Sequence, residues 1–118
     1  MNNRVKGSVY EEAAASFLVS EKYEILERNY RRKTGEIDLI ARDSKEDRIV
    51  FIEVKYRAKN RTGDPAEAVN RNKQNRIYRT AEWYLAEKRL SACTKCRFDV
   101  ISVLNGEIRH IKNAFGGF

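Results

Sequence analysis

The 118-residue sequence has one proline and no long hydrophobic run. Pro65, within Thr62-Gly63-Asp64-Pro65, marks the one strong break in the middle of the chain. No apolar stretch approaches the roughly 20 residues that cross a bilayer. The charged start of the chain leads into no apolar segment typical of a signal peptide. We therefore expect a cytoplasmic protein with no membrane partner.

Cysteine and histidine are also scarce, with two cysteines and one histidine. The cysteines form a single C-x-x-C motif, Cys93-Thr94-Lys95-Cys96. A structural zinc site needs four ligands, and His110 is distant in sequence. Redox motifs of this kind open a helix, whereas this one lies between a predicted helix and a predicted strand. We expect two ordinary thiols in a reducing compartment; zinc shared across a dimer is the alternative.

Positive charge is abundant: the formal net charge is +7 and the pI is about 9.6. Such an excess attracts polyanions, which include nucleic acid, acidic lipid and acidic protein. Charge alone does not choose among them, and a basic surface that only keeps the protein soluble is the alternative. The length fits one compact domain over 1–118. We expect the glycine-rich segment 113–118 to be a loose tail.

Two helices are predicted from apolar residues at helical spacing. The first is expected to begin at Ser8 and to end near Ser20. Ser8 and Glu11 have the spacing of a capping box, in which Ser8 is the N-cap. The second helical region covers 65–90, and its apolar stripe is clearest from Lys73 onward.

Five strands are predicted from runs rich in β-branched and aromatic residues. Short polar connections favour an antiparallel meander for the first three, and Asn105-Gly106 is a hairpin signal between the last two. The order is αβββαββ, which indicates an α/β fold with a mixed central sheet of about five strands flanked by helices. The predicted strands cover 23–31, 35–42, 48–57, 98–104 and 107–112.

Charged residues interrupt the most hydrophobic of these strands. Glu53 and Lys55 share one face with Phe51, because successive strand residues alternate between faces. Unpaired charges on a central strand are costly to bury, so this pair needs partners or a function. The residues expected to point the other way, into a core, are Val50, Ile52 and Val54.

Asp38 is the natural companion of this pair, because it lies mid-strand where aspartate is disfavoured. If the second and third strands form a hairpin, Asp38 and Glu53 meet on one face. Two carboxylates, a backbone carbonyl and waters suit a hard cation such as Mg²⁺ or Mn²⁺. Lys55 could then orient a metal-activated water or stabilise charge on phosphorus. The alternative is a structural salt-bridge cluster or an edge-strand pair facing water.

These residues lie within longer motifs that resemble a known nuclease signature. Gly35-Glu36-Ile37-Asp38-Leu39-Ile40-Ala41 and Val50-Phe51-Ile52-Glu53-Val54-Lys55-Tyr56-Arg57 resemble the PD-(D/E)xK signature. The chain is more similar still to the YraN family of predicted endonucleases, which implies a restriction-endonuclease-like core. The resemblance covers nearly the whole chain, including 23–31, the Lys73 helix, 97–101 and 113–115.

The family fold is similar to that of archaeal Holliday junction resolvases, where a Lys-Gly-x-x-x-Glu segment supplies a further acid. Lys6-Gly7-Ser8-Val9-Tyr10-Glu11 matches that spacing, although Tyr10 stands where relatives often have glycine. The resemblance implies that Glu11, Asp38 and Glu53 hold the metal and that Lys55 is catalytic. Glu11 also borders the apolar face of its helix, which favours a site role over a cap. Glu36 is a secondary candidate that should share the face of Asp38.

Basic and aromatic residues surround this constellation. Arg76, Arg79 and Trp83 lie off the apolar stripe of the second helix, where cations can contact phosphates and tryptophan can stack on bases. Lys73 is a further phosphate candidate, and Arg57 belongs to a loop that could cover substrate. The alternative is an ordinary solvated face.

The spacing Gln74-x-x-x-Tyr78 on the same helix resembles a motif of RecB-type nucleases. Tyr78 lies on the apolar stripe of the helix and is expected in the core. Gln74 is therefore only a secondary candidate for the site.

The sequence therefore predicts a metal-dependent endonuclease that hydrolyses phosphodiester bonds of DNA, with branched DNA as a candidate substrate. A nucleic-acid-binding module that keeps the fold without cutting is one alternative. A protein-interaction adaptor whose basic face meets an acidic partner is another. Junction resolvases act as dimers on a two-fold symmetric substrate, so the resemblance also implies a homodimer.

Overall fold

The computed structural model describes residues 3–57, 69–91 and 94–116, with the side chains of 3–8 and 57 outside the description. One mixed sheet lies between two helices, which confirms the predicted α/β class and element order. Neither helix in these ranges is long and apolar enough to cross a membrane. The elements are α1 (Asn3–Ser20), β1 (Tyr23–Arg32), β2 (Gly35–Asp43), β3 (Arg48–Arg57), α2 (Arg71–Glu87), β4 (Cys96–Leu104) and β5 (Glu107–Ile111).

The sheet has the strand order β1-β2-β3-β4-β5. Strands β1, β2 and β3 form the predicted antiparallel meander. Strand β4 runs parallel to β3, because α2 carries the chain back across the sheet between them. The hairpin between β4 and β5 turns at Asn105 and Gly106, whose φ angles of 52° and 78° are the positive values that a tight two-residue turn requires.

Each face of the sheet buries its own hydrophobic cluster. Ala14 and Leu18 of α1 pack on one face with Val50 and Ile52 of β3. On the opposite face, α2 packs on a cluster that includes Phe51. The predicted alternation of β3 is therefore confirmed, and the side chains that follow Phe51 on its face point toward α2.

Both helix starts differ from the sequence prediction. Helix α1 begins at Asn3, so the interpretation of Ser8 as an N-cap is wrong. The helix continues through Gly7, since an interior glycine costs about 1 kcal/mol without stopping a helix. Helix α2 begins at Arg71, where the side-chain oxygen of Asn70 accepts a hydrogen bond from the backbone N–H of Lys73 at 2.9 Å. The predicted part of this helix over 65–68 lies outside the described residues.

The end of the chain is packed over residues 113–116, where the sequence predicted a loose tail. Phe115 is buried against Phe98 and Tyr78, with ring centroids 5.6 Å and 6.0 Å away. The backbone N–H of Ala114 donates to the carbonyl of Phe98 at 2.8 Å. The aromatic contacts therefore anchor a segment whose glycine content indicated mobility, and the prediction is wrong for these four residues.

A buried ionic network ties β1, β2, β4 and β5 together on the α1 side of the sheet. The guanidinium of Arg97, 5% exposed, donates to Asp99 at 2.9 Å, to Asp43 at 3.0 Å and to the hydroxyl of Tyr23 at 2.7 Å. Asp99 also meets Nε2 of His110 at 2.7 Å. Although burial alone would raise them, the hydrogen bonds hold the pKa values of Asp43 and Asp99 below their usual range.

We predict that Arg97→Met destabilises the protein by about 3–5 kcal/mol, because it leaves two buried carboxylates without their cation. Urea unfolding measures the loss. Arg42→Met is the matched control, because Arg42 pairs with Asp47 at an exposed position and its loss costs less than about 1 kcal/mol. Equal effects of the two substitutions would show that the network does not hold the strands together.

Candidate functional site

Strands β2 and β3 stop pairing where the predicted acids lie. Their ladder ends at the pair Leu39–Ile52. One residue further, Oδ2 of Asp38 accepts a hydrogen bond from the backbone N–H of Val54 at 2.8 Å. Ile37 and Ile40 both belong to the cluster under α2, while Leu39 belongs to the opposite one, so strict alternation breaks at Asp38. The side chain of Asp38 thus replaces a backbone partner and marks the point where the site begins.

A cavity of about 420 Å³ opens at this point. Asp38 reaches it from β2 and Glu53 from β3, so the predicted meeting of these two acids on one cavity is confirmed. Helix α2 approaches β2 closely beside the cavity at Gly35. A Cβ added to this glycine would lie 3.4 Å from the Cβ of Arg76. The remaining lining residues are Glu36, Asn70, Asn72, Lys73, Arg76 and Ile77.

Glu53 is buried, with 6% of its surface exposed, and it is held by two lysines. Its Oε1 lies 2.5 Å from Nζ of Lys73 and 3.4 Å from Nζ of Lys55. Burial, followed by the hydrogen bond with Lys73, lowers the pKa of Lys55. Burial alone would lower the pKa of Lys73. The side-chain hydrogen bonds of Lys73 to Glu53 and Lys55 outweigh burial, so the pKa of Lys73 is raised. Glu53 and Lys55 lie on one face of β3, as predicted, and they form an ion pair there. Lys73 adds a contact with Glu53 that the sequence did not predict.

Asp38 has a very different electrostatic environment. Burial, followed by the negative charge of Glu53, raises the pKa of Asp38 to about 8, although the N–H of Val54 opposes the shift. Within the described part of the chain, no lysine or arginine forms an ion pair with Asp38. Three carboxylates line the cavity. Glu53 pairs with two lysines and Glu36 pairs with Arg31, whereas Asp38 forms no ion pair among the described residues. This arrangement favours a proton or a cation beside Asp38.

Glu11 lies in a neighbouring cluster. The side-chain amide of Asn29 on β1 faces two carboxylates. With its nitrogen assigned to the side that faces these acceptors, it donates to both carboxylate oxygens of Glu11, at 3.0 Å and 3.2 Å, and to Oε1 of Glu36, at 3.2 Å. Glu36 also pairs with Arg31 at 3.2 Å. Burial raises the pKa of Glu11, and the charges of Glu36 and Glu53 add to the shift. The charge of Glu53 therefore acts on Glu11, but Glu11 is not among the residues that line the cavity.

The donor set decides which metal the site could hold. Among residues 3–57, 69–91 and 94–116, no group of three or more His, Cys, Asp or Glu side chains is arranged to hold a metal ion. Asp38 and Glu53 offer two carboxylates in a cavity wide enough for water and phosphate oxygens. Mg²⁺ is commonly bound by one or two carboxylates together with waters and substrate phosphates. The residues present fit that mode and do not form an all-protein cage.

The predicted nucleic-acid contacts divide into two groups along α2. Lys73 and Arg76 line the cavity. Arg79 and Trp83 lie further along the same exposed side, and Trp83 is 49% exposed. The side chain of Arg57 lies outside the described residues. Contact of these residues with nucleic acid stays a prediction.

The remaining motif residues have local partners. Nε2 of Gln74 donates to the backbone carbonyl of Val69 at 2.8 Å, beside the start of α2. Tyr78 is in the core, as predicted, and its hydroxyl donates to the carbonyl of Gly116 at 2.6 Å. Cys96 is a free thiol, while Cys93 lies outside the described residues.

The raised pKa of Asp38 predicts how stability depends on pH. Below about pH 4 the carboxyl is neutral in both the folded and the unfolded chain. As pH rises toward 8, the unfolded chain ionises first, so the folded state progressively loses stability. Asp38→Asn removes this loss and keeps an oxygen for the N–H of Val54. In EDTA at pH 8, we expect its melting temperature to exceed that of the wild type by about 4 °C or more.

The control for this comparison is Glu36→Gln, which changes a cavity acid already paired with Arg31. Thermal melts of the three proteins at pH 5 and pH 8 complete the measurement. The gain of Asp38→Asn should shrink at pH 5. If Asp38→Asn were less stable than the wild type at pH 8, ionisation of Asp38 would not destabilise the folded protein.

Comparison with known proteins places the chain in a family. Residues 10–103 match the model of the "Uncharacterised protein family UPF0102". A UPF0102 protein of Lachnoclostridium phytofermentans is 48% identical over all of this chain and 98% of its own length. Relatives from Fusobacterium nucleatum and Clostridioides difficile are 47% and 45% identical, over 99% and 98% of this chain and 96% and 100% of their own lengths. The chain therefore belongs to the uncharacterised family UPF0102.

Proposed function

We propose that this UPF0102 protein is a metal-dependent endonuclease of the PD-(D/E)xK type that hydrolyses phosphodiester bonds of DNA in the cytoplasm. The observation that carries the proposal is the convergence of Asp38 and Glu53 on one cavity, with Lys55 ion-paired to Glu53. After burial, the charge of Glu53 is the next cause that raises the pKa of Asp38, and it supports the proposal because a cation between the two carboxylates would offset their repulsion. The name of the family states neither an activity nor a substrate. The proposal therefore rests on the geometry of the site and on the motif resemblance.

In this proposal, Asp38 and Glu53 would hold Mg²⁺ or Mn²⁺, and the ion would supply Lewis-acid polarisation of the phosphodiester and a lowered pKa for a bound water. Lys55 stands beside Glu53 on the same face of β3, where its ammonium can orient the attacking water or stabilise negative charge developing on phosphorus. The N–H of Val54 fixes the carboxylate of Asp38, so the acid is oriented before substrate arrives. Glu11, held by Asn29, would act from the neighbouring cluster on the charge of the site.

Helix α2 supplies the proposed substrate contacts. Lys73 and Arg76 reach into the cavity, and Arg79 and Trp83 extend the same side of the helix toward solvent. Cations in this position contact phosphates without reading sequence, and an exposed tryptophan can stack on an unpaired base. The net charge of +7 favours a polyanionic substrate. We therefore propose DNA with exposed single-stranded or branched character as the substrate.

We predict Mg²⁺- or Mn²⁺-dependent cutting of at least one member of a labelled panel: single strand, duplex, flap and four-way junction. Glu53→Gln and Asp38→Asn should each lower the rate by about 100-fold or more, because a ligand of the metal is lost. Binding in EDTA should persist in Asp38→Asn. Glu12→Gln is the control, because Glu12 is exposed and its ion-pair partner within the described part of the chain is Arg28.

A non-catalytic nucleic-acid-binding module is the second candidate. It is favoured by the absence, within the described ranges, of a three-residue metal cluster, and by the neutralisation of Glu53 by two lysines. This candidate predicts salt-dependent DNA binding that is equal in the wild type and Glu53→Gln, with no cutting of any DNA or RNA form. That result would overturn the nuclease proposal.

A further inference from the structure

Two cations compete for one oxygen in this cavity. Nζ of Lys73 lies 2.5 Å from Oε1 of Glu53, and Nζ of Lys55 lies 3.4 Å from the same atom. Lys55 comes from the same strand as Glu53 and is always close to it. Lys73 comes from α2, and its side chain must be directed inward to make the shorter contact. The shorter and stronger ion pair of Glu53 is therefore the one made between separate elements.

The position of Lys73 allows it to leave Glu53 without disturbing the fold. It lies in the first turn of α2, where its backbone N–H is bonded to the side chain of Asn70. Its own side chain is 38% exposed, compared with 25% for Lys55, so the ammonium can move toward solvent. Arg76, one turn further along the helix, also lines the cavity. An ammonium that leaves Glu53 therefore stays beside a second cation at the mouth of the cavity.

We propose that Lys73 is a displaceable cation that neutralises Glu53 in the metal-free protein and binds a substrate phosphate once the metal takes its place. This inference rests on the proposed metal site. The carboxylate of Glu53 cannot give the same oxygen fully to Lys73 and to a divalent ion, so the two compete. A DNA phosphate offers Lys73 another anion, which lowers the cost of releasing Glu53. Metal and DNA consequently bind cooperatively, and each raises the affinity for the other.

The test is a calorimetric titration of Mn²⁺ into the metal-free, full-length protein without DNA. We expect Lys73→Met to bind Mn²⁺ about tenfold more tightly than the wild type, because a charge-assisted hydrogen bond no longer competes for Glu53. Arg76→Met is the matched control: it removes one positive charge from the same cavity, and it should change the affinity by about twofold or less. Lys73→Gln serves as a second variant. A thermal melt beside the wild type checks that it is folded, and its affinity for Mn²⁺ should rise as in Lys73→Met.

The second measurement is the affinity for a labelled four-way junction with and without Ca²⁺, a hard cation with the same preference for oxygen ligands. In the wild type, Ca²⁺ should strengthen binding of the junction. The strengthening should be smaller in Lys73→Met by roughly fivefold, because no ammonium is released to the phosphate.

Three results would overturn the proposal. Unchanged or weaker Mn²⁺ binding in Lys73→Met would mean that Lys73 does not occupy the metal position. An equal gain in Arg76→Met would mean that the total charge of the cavity, and not occupation of Glu53, controls affinity. Binding of Mn²⁺ to none of the proteins, with or without DNA, would overturn the metal-dependent function as well, which separates the two failures.

Discussion

The repulsion between two carboxylates is the constraint around which the cavity is organised. Asp38 and Glu53 come from neighbouring antiparallel strands at the level where their ladder has just ended. Glu53 is buried and Asp38 is partly buried, and the charge of Glu53 opposes ionisation of Asp38. Burying one acid can be offset by nearby cations, as Lys55 and Lys73 do for Glu53. The second acid, Asp38, forms no ion pair among the described residues. A divalent ion would neutralise both acids at once.

The rest of the fold keeps these acids where they are. The Arg97 network fixes the far ends of β1, β2 and β4, where Asp43 and Asp99 are both satisfied. Helix α2 approaches β2 closely at Gly35, and the hydroxyls of Thr34 and Thr80 meet there at 2.7 Å. One end of the sheet is thus tied by completed ion pairs. The other end carries an incomplete set, and this difference supports the proposal that the cavity cluster has a function.

Local patterns predicted the strands and the meeting of Asp38 with Glu53, because alternation along β3 and the short connection to β2 determine which side chains share a face. The contacts of Asn29 with Glu11 and of Lys73 with Glu53 could not be predicted, since each joins separate elements. In the structure, Asn29 has a φ of 52°, in a region that asparagine tolerates better than most residues. The observed start of α1 differs from the predicted one because the capping pattern of Ser8 and Glu11 lies within a helix that begins at Asn3.

The most direct test of the central claim is the position of a bound ion. Crystals soaked in Mn²⁺ should give an anomalous-scattering peak in the cavity, within bonding distance of the carboxylates of both Asp38 and Glu53. Lys73 should then point away from Glu53. A cavity without a peak at saturating Mn²⁺, with Lys73 still paired to Glu53, would contradict the account and leave the two acids as part of a structural ion cluster.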